Sequence, residues 1–421
     1  MQTILVLEIT VIACILYLFF LFRKRSYRLL LPCSVHTFAW LIVSVLIILT
    51  IKGKTGHYDG NLNPAWSYDY VAPFICGLVL SSIVGFEVAH TRKITIYDDS
   101  KVLSLAFIDK ILSKYHWILY ICLFLGALQT FYLVKTIGFD SLGDYRMAAV
   151  SLKMTGYGAF AQRFSGHATI LGSFYLALLG YRHAYSGIEI KRFVKDAFML
   201  ASTNMAIAGR GWILTVLLIY FIAYFWQKNQ KRLRISKTEQ KKIFTIIVVF
   251  VVSFSIIGVI RNNTENISTQ IFVEKFLYFT DGSRIMNMTL ANFPDGSFEL
   301  EYGKSEFMGK WFKTPMTEQF MALKSEDIGF LVTVSSAMPY LYFDFGYWGS
   351  FFFWGFACFL LEFYASKFRN SDSILGVFCF VELTKILFQA PIGNIFTMEI
   401  PVVEWLIVLY VFRKKLFGPA L

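Results

Sequence analysis

Charge is scarce in this sequence. Only 16% of the 421 residues are charged, while 56% are hydrophobic and 18% aromatic. A soluble globular chain carries about 25% charged residues and has no use for so much apolar surface. That class is excluded. Six cysteines are present (Cys14, Cys33, Cys76, Cys122, Cys358 and Cys379), with no CxxC among them. Neither a disulfide framework nor a zinc motif is therefore indicated. The strict alternation of apolar and polar residues that marks an outer-membrane barrel is missing, because the apolar runs are continuous. The first run has no basic stretch ahead of it and no small-residue cleavage signal, so a retained helix is expected rather than a signal peptide. No internal repeat is visible.

What the chain has in abundance is apolar runs of spanning length. A hydrocarbon core of roughly 30 Å needs ~20 apolar residues per helix. Such runs recur at about 3–22, 33–51, 71–89, 116–134, 164–181, 193–208, 212–226, 243–260, 344–365, 373–390 and 401–412. The expected fold class is all-α: a polytopic integral membrane protein with about 11 (10–12) transmembrane helices. The net charge of +12 resides largely in short loops, so it reports topology and gives no reason to expect nucleic acid. The run QKNQKRLRISKTEQKK (227–242) holds seven Lys or Arg residues, which resist translocation. That loop is placed in the cytoplasm, which sets the N-terminus outside and the C-terminus inside. The whole of 1–421 is expected to be one transmembrane domain. Besides the tight turn at Arg210, two outer segments stand out, a loop at 135–163 and a large late loop at 261–343. Loops of that size are uncommon unless functional. Within the second, DGSR (281–284) reads as a helix start with Asp281 or Ser283 as N-cap, and NFPDGSF (292–298) as a turn.

Five arginines fall on the outer side: Arg146, Arg163, Arg210, Arg261 and Arg284. Snorkelling to headgroups would account for any one of them. Arg210 has more to recommend it, because Gly209 and Gly211 flank it and a helix opens at Trp212. A helix N-terminus plus a guanidinium is an anion site. Arg284 repeats the arrangement. Several such arginines suit a pyrophosphate. Two groups are candidate bases. His167 lies just inside the outer end of its expected helix, where a hydrogen-bonded interfacial histidine is the plainer account. Asp281 stands beside Arg284, where a helix cap is the plainer account. Glu299, Glu301 and Glu306 are expected to be a solvated face. His57, Asp59 and Asp69 in the first outer loop do not make a metal-ligand set, so no metal is expected. Tyr278 and Tyr302, within an aromatic-rich loop, are candidates for stacking on sugar rings, although membrane interfaces collect such residues anyway. Glu382 and Lys385 are three apart and placed to pair.

Five motifs carry a family resemblance: FDSLGDYRMA (139–148), AGRGWIL (208–214), GVIRN (258–262), YFTDGSRIMN (278–287) and PYLYFDFGYWG (339–349). Together with the many helices and one large late loop, they resemble the bacterial O-antigen, or oligosaccharide repeat-unit, polymerases over residues 135–365. The resemblance implies a GT-C-like, metal-independent glycosyltransferase of the inner membrane that needs no cofactor. Such enzymes work at the periplasmic face, where 261–343 would be the large periplasmic loop. They move a growing glycan from undecaprenyl pyrophosphate to the non-reducing end of a fresh lipid-linked unit. Implied partners are the undecaprenyl-pyrophosphate-linked oligosaccharide, the lipid bilayer and a chain-length-determinant co-polymerase. The resemblance assigns Arg146, Arg210, Arg261 and Arg284 to the phosphates. An O-antigen ligase or a lipid-linked oligosaccharide flippase is the alternative.

Overall fold

The computed structural model describes residues 2–24, 32–52, 68–91, 103–138, 145, 149, 152, 154–206, 211–230, 235–261, 280–302, 338–369, 373–391 and 395–417. Among them the regular structure is helical throughout, with no strand. The helices are α1 (Gln2–Lys24), α2 (Pro32–Ile51), α3 (Val71–Thr91), α4 (Leu105–Tyr115), α5 (Trp117–Ile137), α6 (Gly156–Ser186), α7 (Ile190–Met205), α8 (Gly211–Gln230), α9 (Lys237–Arg261), α10 (Asp281–Asn292), α11 (Met338–Arg369), α12 (Ile374–Gln389), α13 (Ile395–Val411) and α14 (Arg413–Phe417).

A helix occupies each stretch that hydropathy singles out, with ends that differ from the expected ones by up to eight residues. Among the described residues, five stretches are long and apolar enough to cross a membrane: Gln2–Leu21, Pro32–Ile51, Val71–Thr91, Leu105–Ile137 and Met338–Phe368. α7 is not among them. Its 16 residues extend roughly 24 Å, short of a hydrocarbon core, and its first turns carry Lys191, Arg192, Lys195 and Asp196. α1 presents Leu5, Ile9, Ile12, Leu16 and Phe19 outward as one continuous face, each at least half exposed. In water such a face would be an association liability. In hydrocarbon it is an ordinary outer surface, since the helix satisfies its own backbone.

By contacts the chain forms two units. The first comprises Met1–Ile96, Phe272–Lys367 and Ile386–Ile400. Here α3 and α11 meet backbone to backbone. A methyl group on Gly85 would lie 2.1 Å from the Gly355 carbonyl oxygen, and one on Gly355 would lie 2.9 Å from that of Ser81. Small residues at Ser81 and Gly85 thus let the helices approach as membrane helices do, by packing rather than by hydrophobic drive. His36 of α2 is buried in the same unit and fully engaged. Its Nδ1 donates to the Leu387 carbonyl at 2.7 Å, and its Nε2 accepts from Trp40 at 3.0 Å.

α11 is broken at Gly346, whose φ of 68° and ψ of −173° are open only to glycine. The break strands backbone groups that a continuous helix would pair. The Glu301 and Tyr302 amides donate to the freed carbonyls of Phe343 and Asp344 at 3.0 and 3.1 Å. Asp295 accepts from the Tyr347 amide at 3.2 Å, capping the longer segment. The Tyr342 hydroxyl donates to the Phe293 carbonyl at 2.7 Å. The 293–302 turn, legible in the sequence, is therefore the covering piece for the break. This corrects the expectation for Glu301, which is buried, whereas Glu299 is exposed. Glu301 turns inward because its own amide is held on α11. Glu306 lies outside the described residues.

The second unit comprises Tyr97–Ile271, Phe368–Lys385 and Pro401–Leu421. Side-chain hydrogen bonds cross between its helices. Ser202 donates to the Cys122 carbonyl at 2.8 Å, Thr169 meets Thr203 at 2.9 Å, and His183 meets Tyr220 at 2.7 Å. Phe174 stacks on Phe378 with ring centroids 4.4 Å apart. Glu382 and Lys385 form the expected pair, and both are buried. The start of α9 is a reciprocal capping box. Ser236 Oγ accepts from the Glu239 amide at 3.2 Å, while Glu239 accepts from the Ser236 amide at 2.9 Å. Burial alone would raise the Glu239 carboxyl. The Lys228 ammonium at 2.7 Å, both Ser236 donors and the Tyr224 hydroxyl outweigh it and hold the group down to about 2.

Two outcomes follow from these contacts. Gly346→Ala forces a side chain into a conformation that costs about 1–3 kcal/mol, and its Cβ would sit 3.0 Å from Asp295. It should lower the thermal midpoint of the purified protein, whereas Gly166→Ala, in open space, should not. A carboxyl depressed in the fold stabilises above its ordinary value of 4.5 and loses that contribution as pH falls through about 2. The gap in melting temperature between wild type and Glu239→Gln should be constant above pH 5, narrow as pH falls below 4.5 and close only near pH 2.

Candidate functional site

The polar interior of the first unit centres on α10. Thr280, Ser283, Arg284 and Asn287 follow one another at helical spacing and form one face. All four are buried: Ser283 and Asn287 at 0% exposure, Thr280 at 1% and Arg284 at 8%. The helix starts at Asp281, as DGSR implies, but the cap differs from expectation. Thr280 holds the N-cap position without a side-chain cap bond. Ser283 already lies inside the first turn, so its hydroxyl is turned into the unit and has no hydrogen-bond partner among the described residues. The Asp281 side chain lies outside the description.

Asn287 fixes this helix to α3. Its Oδ1 accepts from the Tyr70 and Val71 amides at 2.9 and 3.0 Å, satisfying donors that open α3. Its Nδ2 is buried with no partner among the described residues. Tyr68 donates to Thr280 at 3.4 Å. The far end of α10 abuts α11, where Phe293 meets Phe343 edge-on at 5.6 Å. Phe74 of α3 meets Tyr342 and Tyr347 at 6.2 and 5.4 Å. α3, α10 and the short first segment of α11 thus enclose a polar face bearing a guanidinium. Each buried polar atom left without a partner costs about 1–3 kcal/mol. Among the described residues, Ser283 Oγ and Asn287 Nδ2 are the open polar atoms of this face, and Ser283 and Arg284 lie in the first turn of a helix, the end whose dipole favours anions. Asn287-Met288-Thr289 fits a glycosylation sequon, but Asn287 and Thr289 are both fully buried, which leaves it inaccessible to modification.

The second unit holds two further features. Tyr145 is buried with Leu133, Ala149 and Met154. Its hydroxyl donates to the Ala206 carbonyl at 2.6 Å, and burial pushes its phenol up from the usual 10. This bond ties Tyr145 of DYRMA to Ala206; Arg146 and Arg210 lie outside the described residues. The other feature is an open apolar trough of about 370 Å³ lined by Trp117, Ile121, Leu125, Phe164, Leu171 and Trp405, among others. Its one ionisable group is His167, whose Nδ1 accepts from Trp405 Nε1 at 3.2 Å. His167 was expected just inside a helix end. It lies three turns in, because α6 begins at Gly156, eight residues before the hydropathy run does.

Of the remaining candidates, Arg163 is exposed one turn before His167 on the same face of α6. Arg261 ends α9, with its side chain outside the description. Tyr302 is 76% exposed, with a left-handed φ of 50°. Tyr278 lies outside the described residues. So do His57 and Asp59, while Asp69 accepts a hydrogen bond from Thr3. Sequence reasoning passed over Ser283, Asn287 and Tyr145. The polar stripe 280, 283, 284, 287 was the signal for the first two. Comparison with protein families, curated proteins and solved structures finds no match to this chain.

Asn287→Ala removes two buried acceptor contacts at the start of α3. It should destabilise the protein by about 1–3 kcal/mol, read as a lower unfolding midpoint. Tyr70→Ala, which leaves those backbone donors in place, should cost less.

Proposed function

We propose that the protein is an O-antigen polymerase, multi-pass in the bacterial inner (cytoplasmic) membrane, with about eleven spanning helices in a GT-C-like arrangement and its site facing the periplasm. The observation that carries this reading is the buried polar face of α10, with Arg284 near the positive end of the helix. The helical content and the five long apolar stretches support the membrane setting. The family resemblance supplies the substrate.

In this reading the substrate is an oligosaccharide on undecaprenyl pyrophosphate. A hydroxyl at the non-reducing end of the incoming unit attacks the anomeric carbon of the growing chain. The new glycosidic C–O bond forms as the bond to pyrophosphate breaks, and the leaving group departs as lipid pyrophosphate. Arg284 and Arg210 hold the negative charge that accumulates on that group, with Arg146, Arg163 and Arg261 as further phosphate contacts. Fixed cations in a water-poor site act at the moment of bond breaking and are the largest rate effect available. The acceptor proton passes to Asp281 or His167. Tyr278 and Tyr302 offer faces for sugar rings. No metal or other cofactor enters the reaction, and a chain-length-determinant co-polymerase completes the system.

The test is a ladder of products from a synthetic lipid-pyrophosphate repeat unit and the purified protein. Arg284→Ala and Arg210→Ala should each slow extension ~10²–10³-fold without loss of fold. Full-rate ladders from both variants would remove the arginines from the site. No ladder from wild type would end the polymerase reading. Loss with Asp281→Asn but not His167→Ala assigns the base, and the reverse assigns His167. Orientation is read separately, by labelling Ser297→Cys, an exposed turn position, from outside intact spheroplasts.

A further inference from the structure

A second polar cluster lies at the opposite end of α3 from Asn287. His90 stands 19 residues beyond Val71, or roughly 28 Å along the helix. Cys33, His90 and Glu362 come from α2, α3 and α11, all within the first unit. One ligand atom from each lies within 4.8 Å of the others. Cys33 is 0% exposed, and the side chains of His90 and Glu362 are 3% and 0% exposed. The arrangement is specific. His90 Nε2 is 2.8 Å from Glu362 Oε1, and Nδ1 is 3.3 Å from Glu87 Oε1. Glu87 in turn accepts from the Tyr17 hydroxyl at 2.9 Å. The other Glu362 oxygen accepts from the Cys33 amide at 3.1 Å.

We propose that Cys33, His90 and Glu362 form a binding site for a zinc-like divalent cation. Sulfur, imidazole nitrogen and carboxylate oxygen are the three ligand types that borderline-soft zinc takes. Ligands about 2.0–2.3 Å from zinc lie roughly 3.3–3.8 Å apart in a tetrahedron, so small side-chain shifts close the set. Glu87 provides an independent sign. A carboxylate on the far nitrogen of a ligating histidine fixes its tautomer and aims the other nitrogen at the ion. Here Glu87 holds Nδ1, and Nε2 faces Glu362. The ion offsets the charges of a thiolate and a carboxylate that are buried together at the end of the helices. Three protein ligands leave a fourth position for water. By clasping α2, α3 and α11, the bound ion stabilises the fold by mass action. No local pattern announces this cluster, because Cys33 and His90 are 57 residues apart and His90 and Glu362 are 272 apart.

The probe is Co²⁺, added to the full-length protein purified in detergent after chelation. One equivalent should bind, with a thiolate-to-cobalt charge-transfer band, and Zn²⁺ should displace it and raise the melting temperature. Cys33→Ser should abolish the band, and Cys14→Ser should keep it. Glu87→Gln should retain the band while weakening binding ~10–100-fold. Wild type that takes up no stoichiometric metal overturns the proposal, whatever the variants do. So does a band that persists in Cys33→Ser. In either case Glu362 is only a cap for α2 and an ion-pair partner for His90.

Discussion

The break in α11 at Gly346 is the constraint from which the first unit is built. A helix that stops and restarts exposes carbonyls on one side and amides on the other, and nothing in an apolar interior satisfies them except another piece of chain. The 293–302 segment is that piece. Its backbone amides take the carbonyls of Phe343 and Asp344, and its Asp295 takes the amide of Tyr347. Holding this segment in place also holds the C-terminal end of α10, through the Tyr342 hydroxyl and Phe293. Asn287 then ties α10 to the start of α3. The position of Arg284 follows from these three attachments.

The two ends of α3 make a contrast in buried polarity. At its start, Ser283 and Asn287 are buried with polar atoms left open among the described residues, beside the buried Arg284 side chain, which under the proposed function would face a ligand that supplies negative charge. At its far end, His90 lies between two carboxylates and beside a cysteine, which suits a ligand that supplies positive charge. Between them the helix is apolar and carries the small residues that allow close approach to α11. One helix thus runs between a buried face that carries a guanidinium and a cluster in which a histidine meets two carboxylates.

Most of the helical layout was legible in the sequence. Every apolar run longer than a soluble core needs became a helix, because a spanning segment can satisfy its backbone only that way. The helix start at DGSR, the turn at NFPDGSF and the Glu382–Lys385 pair were legible for the same reason: each depends on neighbours within a few residues. Misplaced details were those set by distant chain. His167 is the local exception: it lies deeper than hydropathy placed it, since residues 156–163 continue the helix. Glu301 is buried since its backbone belongs to the α11 junction. Thr280 rather than Asp281 or Ser283 holds the N-cap position, which releases Ser283 into the interior.

The sequence by itself determined that this chain is all-helical, apolar along several spanning-length stretches and rich in basic residues between them. Those properties are sums over local residues and need no partner to be read. Only the tertiary structure decided which polar groups are buried together: Arg284 with Ser283 and Asn287, and Cys33 with His90 and Glu362. Those sets join residues from separate helices. Their proximity is fixed by glycine-mediated helix contact and by hydrogen bonds across the break in α11, neither of which has a local signature.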